Sequence, residues 1–216
     1  MPDGTLDDAL AAGFERAWTA LGAVGGRARA TALAGRLLAA YAEPQRHYHA
    51  VQHLRECIGL LDTVRELAEQ PAEVELALWF HDAIYSVTQG GNEAASAQWA
   101  RDELAAAGVA AARIARIEAL ILATRHDAAP QDADQRLLVD IDLAILGAPR
   151  ARFDEYERQI RAEYAHVPEA LFTARRREIL QGFVARPAIY ATERFRASHE
   201  RAARENLARA IDPGRG

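Results

Sequence analysis

What most constrains this chain is the spacing of its apolar residues, which recur every three to four positions along nearly its whole length. That period buries one stripe of an α-helix, and no stretch of useful length shows the two-residue alternation of a half-buried strand. Alanine and leucine are abundant while Pro and Gly are sparse inside the long stretches, so intrinsic propensity points the same way. The spacing predicts helices from about Leu6 to Leu21, Ala28 to Tyr41, Tyr48 to Ala68 and Ala72 to Tyr85. Further helices follow from Asn92, read as an N-cap, to Ala107, and from Ala111 to Thr124. Asp132-Ala133-Asp134-Gln135 reads as a capping box that opens a buried helix to Leu146, closed by Gly147 and Pro149. Phe153 to Tyr164, Pro168 to Ala185 and Thr192 to Ala210 complete the series.

With 216 residues, half of them hydrophobic, the chain can bury a substantial core and is expected to form a single all-α domain, residues 1–216. Residues 1–42 supply N-terminal helices, 43–147 the core that carries the chemistry, and 148–216 C-terminal helices. No run approaches the roughly 18 apolar residues of a membrane span. The start Met1-Pro2-Asp3-Gly4 lacks the basic-then-apolar layout of a signal peptide, so the cytoplasm is the expected compartment. A net charge of −5 argues against general binding to a nucleic-acid backbone but leaves room for one phosphate pocket. Every basic side chain is arginine, which suits bidentate phosphate contacts and leaves no Schiff-base or Walker-type lysine. The lone Cys57 excludes an internal disulfide and a thiolate cage; it reads as a small buried hydrophobe without a role.

Ionisable groups that interrupt apolar runs carry the chemical information, because a buried charge is costly unless paired or bound to a metal. The run Leu78-Trp79-Phe80 meets His81-Asp82. Alone this also fits a helix C-terminus, where a His favours the dipole and an Asp meets water. The run Leu137-Leu138-Val139-Asp140-Ile141-Asp142-Leu143 places two acids in an apolar helix, and residues two apart point roughly 200° from each other, so only one can face a common site. Two helix caps or surface acids are the plainer explanation, one that the apolar neighbours on all sides weaken. In His47-Tyr48-His49-Ala50-Val51-Gln52-His53, His49 and His53 stand at i and i+4, one helix face able to address one point, or simply a polar surface feature.

The order of these clusters resembles the HD superfamily of metal-dependent phosphohydrolases, whose hallmark is H…HD…D on a helical bundle. Tyr48-His49-x-x-x-His53 is similar to the first metal motif of cyclic-nucleotide phosphodiesterases, in which the second histidine binds metal and the first protonates the leaving group. The fuller resemblance is to bacterial predicted HD-superfamily phosphohydrolases. It runs through His47-Tyr48-His49, Trp79-Phe80-His81-Asp82, Asn92-Glu93-Ala94-Ala95-Ser96-Ala97, Ala123-Thr124-Arg125-His126, Asp140-Ile141-Asp142-Leu143 and Ile160-Arg161-Ala162-Glu163-Tyr164. These elements span nearly the whole chain beyond the first two helices.

The resemblance implies an HD-domain-like helical bundle with additional N- and C-terminal helices, and metal ligands His53, His81, Asp82 and Asp142. Asp142 is preferred because Ile-Asp-Leu matches the ligand context of the phosphodiesterases; Asp140 then supports the site or caps a helix, and is otherwise the alternative ligand. A mixed imidazole and carboxylate set suits Mn²⁺, Fe²⁺, Co²⁺ or Zn²⁺ and tolerates Mg²⁺. His49 would protonate the leaving oxygen, and Glu93 would act as a base or hold a second metal through water, against the plainer role of a first-turn dipole charge. His126, with Arg125, would touch substrate phosphate or a second metal, against a helix C-cap. Arg161, Tyr164 and Arg176 would bind substrate, against salt bridging on amphipathic helices.

The implied activity is hydrolysis of a phosphomonoester or phosphodiester, of a nucleotide or small phosphorylated metabolite, by a metal-activated water. A non-catalytic nucleotide-sensing module is the first alternative, though the ligands and an acid are all present. A di-iron oxygenase is the second, and it would need more histidines between Asp82 and Asp142 than His126. The expected partner is a small phosphorylated substrate, with no membrane; a homodimer is the ordinary expectation for such a chain.

Overall fold

A computed structural model of the chain describes residues 3–212. Met1 and Pro2, part of the start considered above for a leader, lie outside the described residues. The described residues are all-α, with no strand among them, and none of their helices is long and apolar enough to cross a membrane. In order these are α1 (Asp3–Ala20), α2 (Gly26–Tyr41), α3 (Val51–Val64), α4 (Pro71–Phe80), α5 (Asn92–Ala106), α6 (Ala111–Ala123), α7 (Ala133–Asp142), α8 (Arg150–Glu163), α9 (Glu169–Val184) and α10 (Glu193–Ile211). Two compact units divide the chain, one reaching Leu138 and the other starting at Val139, so that the division falls within α7.

In the first unit α4 is the central element, packed by α1, α3, α5 and α6. Its sequence allows nothing else: Val74, Leu76, Ala77, Leu78, Trp79 and Phe80 are fully buried and cover every side of the helix. Burying side chains of the size of Trp79 and Phe80 stabilises the fold by about 1.5–3 kcal/mol each. Two acids share this burial and are therefore paired. Glu73 accepts two hydrogen bonds from Arg116, at 2.7 and 2.6 Å, and Glu75 accepts one from Arg65 at 2.6 Å. Pro71 opens α4 where its missing N–H costs nothing. The amides of Glu69 and Gln70 just before it donate to the Asp134 carboxylate at 2.7 and 2.9 Å.

Several helix ends differ from the sequence expectation, each for a local reason. α3 begins at Val51 instead of Tyr48, so His49 lies in the preceding turn and not on the helix. α4 stops at Phe80 instead of Tyr85, because residues 82–86 bond to other side chains. Arg46 takes the carbonyls of Asp82 and Ala83, the Ser96 hydroxyl accepts the Ile84 N–H, and Asn92 accepts from Ser86 N and donates to Ser86 O. Asn92 is therefore not the N-cap of α5. Gly91, at φ +86°, takes that position, which a left-handed backbone reserves for glycine. The capping box forms with Asp132 Oδ1 accepting the Gln135 N–H at 2.8 Å, but the Gln135 side chain accepts from Gln131 N instead of Asp132 N. α7 ends at Asp142 and gives way to a 3₁₀ turn over Leu143–Gly147.

The second unit is organised around that 3₁₀ turn, against which α10 and α8 pack. Phe153, Ile160, Leu180, Tyr190, Phe195 and Leu207 are among its buried apolar residues. Asn206 donates to the Leu146 and Ala148 carbonyls, both at 2.9 Å, and Tyr190 OH donates to the Leu143 carbonyl at 3.1 Å. The turn approaches α10 so closely that a Cβ on Gly147 would lie 2.7 Å from His199 Cβ and 2.8 Å from the His199 carbonyl oxygen. Gly147→Ala should therefore lose roughly 1–3 kcal/mol in chemical denaturation, the cost of overpacking. Gly59→Ala, on the exposed side of α3 with open space around it, should gain about 0.5–1 kcal/mol in the same assay from helix propensity alone.

Candidate metal centre

The C-terminal end of α4 sets the chemistry of His81. Its ring Nδ1 lies 2.7 Å from the Leu78 carbonyl, one of the four that a helix leaves without an intrahelical donor. A carbonyl only accepts, so Nδ1 carries a proton and Nε2 is the ring nitrogen turned toward the other side chains. His81 is 1% exposed, and its Nε2 faces the Nε2 of His53, 3.1 Å away and equally buried near the start of α3. Asp82 Oδ2 lies 3.1 Å from the first nitrogen and 3.6 Å from the second. Imidazole nitrogens bound at roughly 2.0–2.1 Å to one cation sit about 3–3.4 Å apart for angles between octahedral and tetrahedral. The two rings and the carboxylate are spaced as donors around one ion would be.

Charge agrees with geometry. Burial by itself would raise the Asp82 pKa, but the imidazoles of His81, His49 and His53 and the hydrogen bond from His81 outweigh it and hold the carboxyl far below the usual range. Asp82 is thus an anion at neutral pH, buried among histidines. Its backbone is also occupied, the N–H donating to Tyr41 OH at 3.2 Å and the C=O accepting from Arg46.

His53, His81 and Cys57 each bring one ligating atom within 4.8 Å of the others. With the Asp82 carboxylate against both rings, this buried His/Cys/His group is consistent with a metal-binding site. Cys57 is placed there by helix geometry, one turn after His53 on α3, a signal present in the sequence at spacing i, i+4. The reading of Cys57 as buried holds; its isolation from the chemistry does not. Its Sγ lies 3.7 Å from both nitrogens of the His53 ring. Such equidistance sets the sulfur off the line of the Nε2 lone pair, so it packs against a ligand group without pointing where that group points.

His49, although outside the helix, still reaches the cluster. Its ring centroid is 6.1 Å from that of His53, and it stacks on Tyr85 at 4.0 Å. Tyr48 packs its ring 4.7 Å from His53. Arg46, which sequence reasoning passed over, is the buried cation of this region; nothing in its spacing announces it, because its partners are backbone carbonyls 36 and 37 residues away.

The remaining candidates stand on several other elements. Glu93 stands half-buried in the first turn of α5. Arg125 is exposed after α6, and His126 follows at φ +57°, the left-handed conformation of a residue just past a helix end. Asp142 is half-buried at the last residue of α7, on the second unit. Asp140 is fully buried, and both its oxygens are taken. Oδ1 accepts the Ala191 N–H at 2.7 Å, while Oδ2 accepts the N–H and hydroxyl of Thr192 at 2.7 and 2.6 Å. Burial raises its pKa and these three donors oppose that rise. Arg161 bonds to Glu169 and to the Tyr164 and Val167 carbonyls, closing the end of α8, with Tyr164 beside Phe172. Arg176 is held by Glu157 and lies over the Tyr156 ring at 5.0 Å.

Comparison of the chain with family models, with curated proteins and with solved structures finds no match. The cluster must therefore be judged on its own geometry. Elemental analysis of the purified chain should find a divalent transition metal, and His81→Ala or Asp82→Ala should lose it. Cys57→Ser should retain it, since the sulfur is off the lone-pair line. Metal content unchanged in His81→Ala would remove this assignment.

Proposed function

We propose that the chain is a metal-dependent phosphohydrolase acting on a phosphomonoester or phosphodiester, of a nucleotide or small phosphorylated metabolite. The observation that supports this best is the pair of buried imidazole nitrogens 3.1 Å apart with the Asp82 carboxylate against both. In this reading His53, His81 and Asp82 hold the ion, and Asp142 is the fourth ligand, an assignment that comes from the H…HD…D order and its Ile-Asp-Leu context. Asp140, committed to Ala191 and Thr192, is not needed as a ligand. Bound there, Mn²⁺, Fe²⁺, Co²⁺, Zn²⁺ or Mg²⁺ supplies Lewis acidity toward a phosphoryl oxygen and makes water more acidic.

The chain's own groups do the rest. His81 keeps its proton on Nδ1 through the Leu78 carbonyl, which orients the ring and keeps Nε2 basic. His49 holds a proton for the departing oxygen in this reading, and its stack on Tyr85 fixes the ring plane. Glu93 is the further base in this reading, and Arg125 with His126 a contact for substrate phosphate; Arg161, Tyr164 and Arg176 keep the same role only if their present partners release them.

The test is a screen of phosphorylated metabolites with Mn²⁺, Mg²⁺, Co²⁺ and Zn²⁺ added. Turnover should appear with at least one ester. On that ester His49→Ala should retain the metal and slow turnover by roughly 10²–10⁴, the usual worth of a general acid, with the larger loss on poorer leaving groups. Loss of metal in His49→Ala would mean that the acid and the ligand are exchanged, and tight nucleotide binding without turnover under every metal would replace the enzyme with a sensor.

A further inference from the structure

We propose that Arg46 is a positioning residue, whose buried guanidinium holds the turn carrying His81 and Asp82 in the conformation that lets their donor atoms converge with His53. This rests on the metal reading above and extends it to a residue outside the ligand set. The Arg46 side chain is 1% exposed. Its Nε donates to Glu43 Oε2 at 3.0 Å; one terminal nitrogen donates to the Asp82 carbonyl at 2.5 Å and the His49 carbonyl at 3.4 Å, and the other to the Ala83 carbonyl at 2.9 Å. The guanidinium carbon lies 5.5 Å from the Tyr41 ring centroid and 5.8 Å from that of Tyr85, the ring on which His49 stacks.

The physical need is specific. α4 ends at Phe80, so the carbonyls of Asp82 and Ala83 have no helical donors and lie in a region too buried for bulk water to serve them all. A cation placed at the C-terminal end of a helix also meets the negative end of its dipole. Arginine answers both with a planar fork that reaches several acceptors at once; a lysine ammonium on one stem cannot span the same set. One side chain therefore ties the turn that bears His49 to the turn that bears the His81 and Asp82 donors. With Tyr41 OH accepting the Asp82 N–H, the whole Asp82 backbone is held and only its carboxylate is left to the cluster.

The experiment is calorimetric titration of the full chain with Mn²⁺ and, in parallel, Co²⁺, for the unaltered protein and for Arg46→Gln, Arg46→Lys and Glu43→Gln, each checked for folding by circular dichroism. Arg46→Gln should remain folded and weaken metal binding roughly 10–100-fold, as loss of groups behind metal ligands does. Arg46→Lys should fall between it and the unaltered chain. Glu43→Gln, which touches the guanidinium but none of the carbonyls, should bind as the unaltered chain does. A folded Arg46→Gln with unaltered affinity overturns the proposal. Should that variant fail to fold, Arg46→Lys decides in the same way, its unaltered affinity being equally fatal. An unaltered chain that takes up neither ion overturns the metal reading itself, an outcome distinct from either.

Discussion

Two imidazole nitrogens that face each other across 3.1 Å inside a protein need a proton or a cation between them. Either can fill that role, and the neighbouring Asp82 carboxylate sets negative charge beside a cation bound there. The rest of the first unit is arranged to keep this confrontation in place. α4 is buried on all sides and cannot rotate away, the Leu78 carbonyl fixes the His81 ring, and Arg46 and Tyr41 fix the backbone of Asp82.

Helix ends supply much of the construction. Several buried polar residues are spent on backbone groups that helices leave unpaired: Asp134 on the amides before α4, Asp140 on the amides before α10, Asn206 on carbonyls at the end of the 3₁₀ turn, and Arg46 on carbonyls after α4. In the first unit this ties short helices with irregular connections into one framework. It also means that an ionisable residue in a greasy helix is an ambiguous sign. Asp140 and His81 look alike in sequence, but one has every oxygen occupied by donors whereas the other keeps a nitrogen directed at a second histidine.

The helical class was legible because a 3.6-residue period survives along most of the chain, and the existence of the elements follows from it. Their ends were less legible. α4 was read five residues too long, since Ala83, Ile84 and Tyr85 continue the apolar pattern while Arg46, Asn92 and Ser96 draw their backbone away. His49 and His53 were read as one helix face, yet the chain turns between them and still brings the rings within reach. His81 and Asp82 stood out at the end of an apolar run and His53 within a cluster of histidines, but only the resemblance joined them into one ligand set. Arg46 did not, because a side chain whose partners are main-chain carbonyls leaves no pattern in residue identities. Cys57 sat in view, one turn from His53, but a single sulfur in an apolar stripe has an ordinary explanation in packing.

The most direct measurement is a crystal structure of the chain grown with Mn²⁺, with the ion located by its anomalous scattering. A peak bonded to the Nε2 atoms of His53 and His81 and to a carboxylate oxygen of Asp82 is the expected result. No peak between those rings, with their two nitrogens left joined only by a hydrogen bond, would contradict it.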